Sequence, residues 1–439
     1  MDNRQTICLL NDSFPPVIDG VANAVKNYAE IIHQAGQDTL VITPSHPDSD
    51  DTVFPYPVVR YPSLDFRKVT GGYTAGIPFS PAITRQLGGR KVALLHSHCP
   101  VVSTILGREL RRVVDAPLVM TYHTKFDIEI NKMVKGRALK AGTMKALVQN
   151  VSACNEVWAV SAGAADNLRS MGYEGECVVM PNGVDLPLGR VSQEAIDRAI
   201  AGYDLPQGVP LFLFVGRIMW YKGLKIIADA LAMQEAGGAD FRMVFIGSGT
   251  EQEDVKAYIG RCGIGDKCIF TGPIRDRETL RAWYCRADLF LFPSTFDTNG
   301  LVVREAAASS LGAVLIAGSC AAEGITDGVN GLLIEENAES LSACLTQVLR
   351  SPEIMAQVGQ RAARDLYISW HDAVHNALRR YEVVIDRYRS GQRPAHQEPM
   401  EQLLETTGIL MEDLAQLPPL PPLPPLRRDR ENEDASKRL

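Results

Sequence analysis

Asp297 and Glu305 stand at two ends of a loop and helix start within the stretch ADLFLFPSTFDTNGLVVREAAA, residues 287–308. Leu289, Phe290, Leu291 and Phe292 make an apolar run of the kind that forms a strand buried on both faces. Pro293 ends it, because proline has no N–H to give to a ladder. Turn residues follow as far as Gly300, and helical spacing starts near Leu301 and runs through Val302, Glu305 and Ala306. The free N–H groups of a helix start, with the helix dipole, favour an anion such as a phosphate. Glu305, one turn inside that helix, can accept hydrogen bonds from a diol. Taken alone, the stretch fits an ordinary strand-loop-helix connection better, with a solvated Asp and a surface Glu.

Other residues of chemical interest lie at the ends of apolar runs. Gly216, Arg217 and Lys222 follow the run Leu211 to Val215, and the two cations are five positions apart across a loop, so both can point at one diphosphate. A pyrophosphate leaving group needs such cations, because it gains negative charge as the bond to its neighbour breaks. Gly20 lies in a Pro- and Gly-containing loop before a helical pattern at Val21, Ala24, Val25, Tyr28, Ile31 and Ile32. There it would let backbone approach a ligand, although the three-glycine dinucleotide fingerprint is missing. His123 follows the run PLVMTY and would face a ligand crevice, or would be a hydrogen-bonded core histidine. His96 and His98 are two apart with no further ligands nearby in sequence, so they read as cleft wall and not as a zinc site. The acidic run 48–51 contains an Asp-x-Asp between prolines and reads as a solvated loop.

These residues need a parallel sheet to position them. Apolar runs at 6–10, 37–44, 92–95, 117–122, 156–161 and 177–180 alternate with helical patterns, and so do runs at 211–215, 241–246, 268–271, 289–292 and 313–317. That alternation gives an α/β chain in two halves. The polar stretch 189–208, with a short helical segment, reads as the linker between them. The chain has 439 residues, 46% hydrophobic and 22% charged, which is ordinary globular material with room for two or three domains. A net charge of −7 argues against a nucleic-acid binder that relies on overall basicity. Nine scattered cysteines without metal-ligand spacing fit a reduced, cytoplasmic chain. No apolar run is long enough to span a bilayer, and the N-terminus carries no secretory apolar region. Between Lys132 and Val151 there are five basic residues and no acidic one, over a loose apolar face. That segment is a solvated basic helix or one that meets a membrane surface or an anionic acceptor. Beyond residue 391 comes PPLPPLPP, expected to be largely disordered, with a short helix at 401–417.

With these residues in view, the chain resembles the retaining nucleotide-sugar glycosyltransferases of family 4 over about residues 5–389. The most specific segments are GRIMWYKG at 216–223 and FDTNGLVVREAA at 296–307. NDSFPPVIDGVAN, TYHTKFD, PNGVD and EGITDGVNGLL support them. The resemblance implies the GT-B architecture, two Rossmann-like domains facing a central cleft. The expected boundaries are 1–205 for an acceptor-side domain, 206–370 for a nucleotide-sugar domain, 371–390 for a helix crossing back, and 391–439 for a proline-rich tail. It implies that Gly20 and Gly216 lie near the donor, and that Arg217 and Lys222 bind and stabilise the leaving diphosphate. Glu305 would hold the ribose hydroxyls, and the backbone of Asn299, Gly300, Leu301 and Val302 would contact phosphate and sugar. His123 would lie beside the donor sugar. Asp297 stands where the family has a sugar-contacting Glu, so it keeps the charge with one methylene less reach.

A front-face mechanism goes with that family and needs no protein nucleophile, in agreement with the lack of a Ser/His/Asp or Cys/His arrangement here. No cofactor and no metal are expected. The expected donor is a UDP-sugar, UDP-glucose first and GDP-mannose second, and the expected acceptor is a lipid or a sugar, with peripheral contact at the inner membrane surface through residues 132–151. A GT-B nucleotide-sugar epimerase and a catalytically idle nucleotide-sugar-binding scaffold are the alternative readings.

Overall fold

A computed structural model describes residues 5–17, 19–65, 74–298 and 300–392. Asn299, the polyproline segment and the helix expected at 401–417 lie outside them.

The first half carries β1 (Thr6–Leu10), β2 (Thr39–Pro44), β3 (Val58–Tyr61), β4 (Ser63–Asp65), β5 (Thr74–Gly76), β6 (Val92–Ser97), β7 (Leu118–Tyr122), β8 (Glu156–Ala159) and β9 (Cys177–Val179). Seven of these form a parallel sheet in the order β3-β2-β1-β6-β7-β8-β9, and β4 pairs with β5 antiparallel. The second half carries β10 (Leu211–Val215), β11 (Arg242–Ile246), β12 (Cys268–Gly272), β13 (Leu289–Phe292), β14 (Ala313–Ile316) and β15 (Leu332–Ile334). They form a second parallel sheet, β12-β11-β10-β13-β14-β15. Both sheets are doubly wound, and strand order reverses between β1 and β6 in one and between β10 and β13 in the other. Ligands of such sheets sit outside the carboxyl ends of the strands at these switch points. The loops after β1 and β13 carry Gly20, Asp297 and Gly300, and the loop after β10 carries Arg217 and Lys222.

The central strands are apolar because both faces are covered. In β1, Ile7 and Leu9 pack with Tyr28, Trp158, Trp370 and Tyr381 on one side, while Cys8 and Leu10 pack with Leu106, Leu110 and Leu118 on the other. The second sheet is held by Phe212, Phe214, Phe245, Phe290 and Phe292. The Trp370–Arg389 helix buries Trp370, Ala373, Val374, Ala377, Tyr381 and Val384, a stripe at helical spacing, against the first sheet's core. Burying each large apolar side chain contributes about 1.5–3 kcal/mol. The short Gln193–Ile200 helix packs through Ile196 on Ala282 and Cys285 of the Arg277–Arg286 helix.

Two sequence expectations change. The basic stretch is not one helix: Phe126–Met133 and Arg137–Ser152 are separate, divided at Gly136, whose φ is +93. Its apolar face is local, since Leu147, Val148 and Val151 are buried while Ala138, Leu139 and Ala141 are exposed. The region from 353 to 389 holds two helices, Glu353–Asp365 and Trp370–Arg389. In the acidic run, Asp51 is more than solvated: Arg60 Nη2 lies 2.8 Å from its Oδ1, and the same guanidinium donates to the carbonyls of Pro15 and Pro44. Asp50 caps the short turn that follows, accepting from the Thr52 N–H at 3.1 Å. All nine cysteines are unpaired thiols.

Candidate active site

The wall built by the first sheet is polar but mostly neutral. Asp19 caps the Gly20–Gln34 helix, accepting from the N–H groups of Val21 at 2.8 Å and Ala22 at 2.7 Å, and Ser13 Oγ donates to its other oxygen at 2.7 Å. Asp12 does the same for the Val102–Val114 helix, accepting from Val102 at 3.1 Å and Ser103 at 2.6 Å. Burial pushes the Asp12 carboxyl above its ordinary range. Gly20 opens its helix, and among the described residues beyond its chain neighbours no atom lies within 4 Å of where a Cβ would sit, so packing by them does not demand glycine there.

Behind these loops stand three buried histidines. His98 Nδ1 is 3.0 Å from His123 Nε2, His96 Nδ1 is 2.6 Å from the Tyr381 hydroxyl, and His96 Nε2 is 2.7 Å from Thr121 Oγ1. Burial takes the His123 pKa from 6.5 to about 3, and burial with the neighbouring imidazoles holds His96 and His98 well below 6.5. All three are therefore neutral hydrogen-bonding groups near pH 7. Among the described residues His98 Nε2 is buried without a hydrogen-bond partner. Among the described residues no group of three or more His, Cys, Asp or Glu side chains is gathered as metal ligands.

The wall built by the second sheet carries charge. After β10 the loop turns at Gly223, whose φ is +76 and where a Cβ would come within 1.9 Å of the Pro293 carbonyl oxygen. This close approach, open only to glycine, sets Lys222 beside the loop after β13. Lys222 is 6% exposed, and its Nζ lies 2.6 Å from Asp297 Oδ1. Ser294 Oγ donates to Asp297 Oδ2 at 2.6 Å. Arg217 and Lys222 flank one ring, at 5.6 and 5.5 Å from the centroid of Tyr221. Lys222 is thus held, whereas Arg217 is exposed to solvent.

Gly300 caps the Leu301–Ala308 helix in the left-handed region, φ +54, with no side-chain cap and no acidic residue in the first turn. Whereas Phe126–Met133 and Leu224–Ala236 have no side-chain cap, three other helices that start at this cleft are capped by carboxylates. Asp19 and Asp12 cap two of them, and Glu323 receives the N–H groups of Ala162 at 2.8 Å and Gly163 at 3.3 Å from across the cleft. With no carboxylate on it and Lys222 close by, the start at Gly300 is open to an anion. Glu305 follows one turn later, 2.9 Å from Arg277 Nη2, with the Tyr284 hydroxyl donating at 3.0 Å. Burial pushes its carboxyl above the ordinary range, and Arg277 pulls the other way.

Between the walls lies a cavity of about 710 Å³. It brings together Gly20, His123, Asp297, Gly300, Leu301 and Val302 from the sequence-derived set. Gly216, Arg217, Lys222 and Glu305 lie outside its lining: Lys222 reaches it through Asp297, and Glu305 lies behind it on the same helix. The walls also touch directly. Thr298 Oγ1 donates to the His123 carbonyl at 3.0 Å, and Ser161 Oγ donates to the Thr298 carbonyl at 2.5 Å. Sequence reasoning did not single out Thr298, Ser161, Ser294, Arg277 or Tyr284 for the site. Their roles come from partners 21 to 175 positions away, except Ser294, three residues from Asp297.

Two doubly wound sheets that open on one cleft, with charge on one side of it, define a glycosyltransferase of the GT-B fold. The family model for glycosyltransferase family 4 matches residues 18–187, and the model for glycosyl transferases group 1 matches residues 196–365. The chain belongs to this family of group 1, family 4 glycosyltransferases. It is similar to the alpha-monoglucosyldiacylglycerol synthase of Streptococcus pneumoniae, 24% identical over 354 residues that cover 79% of each chain. The GDP-mannose-dependent alpha-mannosyltransferase of Corynebacterium glutamicum is 25% identical, over 78% of this chain and 80% of that one. In fold it is similar to the sucrose-phosphate synthase of Thermosynechococcus elongatus, with TM-score 0.70 and 21% identity over 87% of this chain and all of that one. The protein is an enzyme that transfers a glycosyl group to a sugar or lipid acceptor. No helix among the described residues is long and apolar enough to cross a membrane.

Proposed function

We propose that the protein moves a hexose, with retention of configuration, from a nucleoside diphosphate donor to the hydroxyl of a glycerolipid. UDP-glucose is the first candidate donor and GDP-mannose the second. The observation that carries the reading is the uncapped helix start at Gly300 beside the Lys222–Asp297 pair, facing neutral His123 across one cavity. The donor diphosphate sits at the N–H groups of Leu301 and Val302, with Lys222 and Arg217 balancing its charge as it leaves. Gly20, open on its cavity side, lets the first loop close over the phosphates. Glu305 accepts the ribose hydroxyls. Asp297 and His123 address the sugar, and His123 acts as a neutral hydrogen-bonding group, since a proton on it is disfavoured. The acceptor oxygen bonds to the anomeric carbon as the bond from that carbon to the phosphate oxygen breaks, and the hydroxyl proton passes to the departing phosphate.

The lipid acceptor rests on a second feature. Lys135, Arg137 and Lys145 are exposed at the start of and along the Arg137–Ser152 helix, where Leu139 is 64% exposed. Basic groups and a projecting apolar side chain on one helix suit an anionic membrane surface, which supports the reading of peripheral contact at the inner membrane surface. Relatives named for diacylglycerol glucosylation support the same choice.

The test is nucleotide release from UDP-, GDP- and ADP-sugars, with and without a membrane-lipid extract, followed by mass analysis of the products. The expected result is UDP release that requires lipid and leaves a hexose on it. Release unaffected by lipid overturns the acceptor assignment, and release from GDP-mannose alone overturns the donor. No release from any sugar overturns both.

A further inference from the structure

Glu305 does not meet a ligand alone. Arg277 Nη2 lies 2.9 Å from its Oε1, and the Tyr284 hydroxyl donates to Oε2 at 3.0 Å. The same Arg277 nitrogen lies 3.3 Å from Asp185 Oδ2. Asp185 belongs to the segment after β9, and its Oδ1 accepts from Trp370 Nε1 at 2.6 Å and from Asn27 Nδ2 at 3.2 Å. Asn27 and Trp370 stand on the two helices that cover one face of the first sheet. One guanidinium thus ties the carboxylate behind the cavity to the segment that leads from one sheet to the other.

We propose that Arg277 is a positioning residue for the donor ribose, holding Glu305 ionised and aimed, and anchoring it through Asp185 to the first half of the molecule. The inference rests on the reading of Glu305 as the ribose ligand. An ionised carboxylate offers about four acceptor positions, two on each oxygen. Arg277 fills one on Oε1 and Tyr284 fills one on Oε2, which leaves one on each oxygen. That remainder matches a vicinal diol, which brings two donors side by side. Glu305 is only 12% exposed in its side chain, so without a cation beside it burial favours the protonated acid, which has less acceptor capacity. Arg277 and Asp185, by contrast, are 45% and 39% exposed, so replacing Arg277 removes little packing. The titratable groups that face Glu305 are Arg277, Tyr284 and Asp185. The Tyr284 hydroxyl is held well above its ordinary range by burial first and by Glu305 second, so it stays a donor.

The experiment is calorimetric titration of the full chain with UDP and GDP and with their 2′,3′-dideoxy analogues, for the parent, Arg277→Gln and Arg277→Lys. The parent should prefer the ribose form of its nucleotide by at least about tenfold. Arg277→Gln should lose that preference while its affinity for the dideoxy form changes less than about twofold, and its ribose penalty should grow from pH 8 to pH 6. Arg277→Lys should recover part of the preference, because the charge returns without the fork. Equal losses for both forms would mark a merely structural residue and overturn the proposal, as would an unchanged preference in Arg277→Gln. A parent that binds nucleotide but does not discriminate the dideoxy form overturns the ribose reading of Glu305 itself, and this proposal with it.

Discussion

The two walls of the cleft solve opposite problems. The first-sheet wall holds two carboxylates and three histidines, yet offers little free charge. Its carboxylates cap helices and its imidazoles are neutral. The second-sheet wall leaves its helix start uncapped and keeps cations beside it, one buried and one exposed. A wall of shape and a wall of field follow from where hydrogen-bond capacity is used up. In the function we propose, the diphosphate goes to the second wall and the first offers the sugar a surface with little free charge, with proton transfer left to the substrates themselves.

The largest effect should come from removing the buried cation. Lys222→Met leaves Asp297 with Ser294 as its side-chain partner among the described residues and, in the function we propose, takes a positive charge from the diphosphate. Turnover should fall by about 10²–10³, the size seen when one charge-stabilising donor is lost. Asp297 is 21% exposed in its side chain, so the stability cost should stay near or below about 3 kcal/mol. Urea unfolding beside donor turnover checks both. A variant that turns over like its parent would remove the field from the second wall.

The histidine wall makes the opposite prediction, one of stability. In the unfolded chain these imidazoles take up protons near pH 6.5. In the fold His123 does so only at about 3, and His96 and His98 well below 6.5. Below pH 6.5 the unfolded chain thus binds more protons, so stability is full above that pH and is lost as pH falls toward the folded values. Each fully linked histidine costs up to about 1.4 kcal/mol per pH unit. Unfolding midpoints between pH 7.5 and 5 should fall accordingly, and His123→Gln should flatten the slope. An equally steep slope in that variant would mean that His123 is charged in the fold.

Asp297→Asn tests the seam between charge and shape. It keeps an acceptor for Ser294 and loses the ion pair with Lys222, so turnover should drop about tenfold while nucleotide affinity stays nearly unchanged. Equal loss of both would place Asp297 with the diphosphate and not with the sugar.

How much of this was legible in the sequence depends on range. β1, β10 and β13 appear as apolar runs at their observed bounds, because strands buried on both faces have nothing else to encode. The edge strand β3 contains Arg60, whose guanidinium is used by Asp51, and the pair β4 and β5 is short and half exposed, so none of them shows a run. The start of the Leu301–Ala308 helix was readable from Gly300, but its lack of a cap has meaning only beside helices capped by Asp12, Asp19 and Glu323. Glu323 comes from 161 positions away, a pairing that no local pattern encodes. The break at Gly136 hid in a run of basic residues that read as continuous. Arg277 carries no local signal, and only the fold brings Glu305 and Asp185 to it.

The smallest effect should come from the place where the walls touch. Thr298 Oγ1 donates to the His123 carbonyl at 3.0 Å, so one hydroxyl on the charged wall fixes the backbone of the neutral one. Thr298→Val keeps the branched shape and removes the donor. The reverse bond, from Ser161 Oγ to the Thr298 carbonyl, involves backbone and survives. A neutral hydrogen bond is worth about 0.5–1.5 kcal/mol net. The substitution should therefore raise the donor KM about two- to tenfold, with kcat changed less than the KM, since the contact holds the cleft together and touches no reacting atom. Ser161→Ala should act in the same direction, and the double variant should show coupling of at least about 0.5 kcal/mol if both bonds close one seam. Strict additivity would instead make them two independent surface contacts, and the walls would then be joined mainly by Glu323 and by the Arg277–Asp185 link.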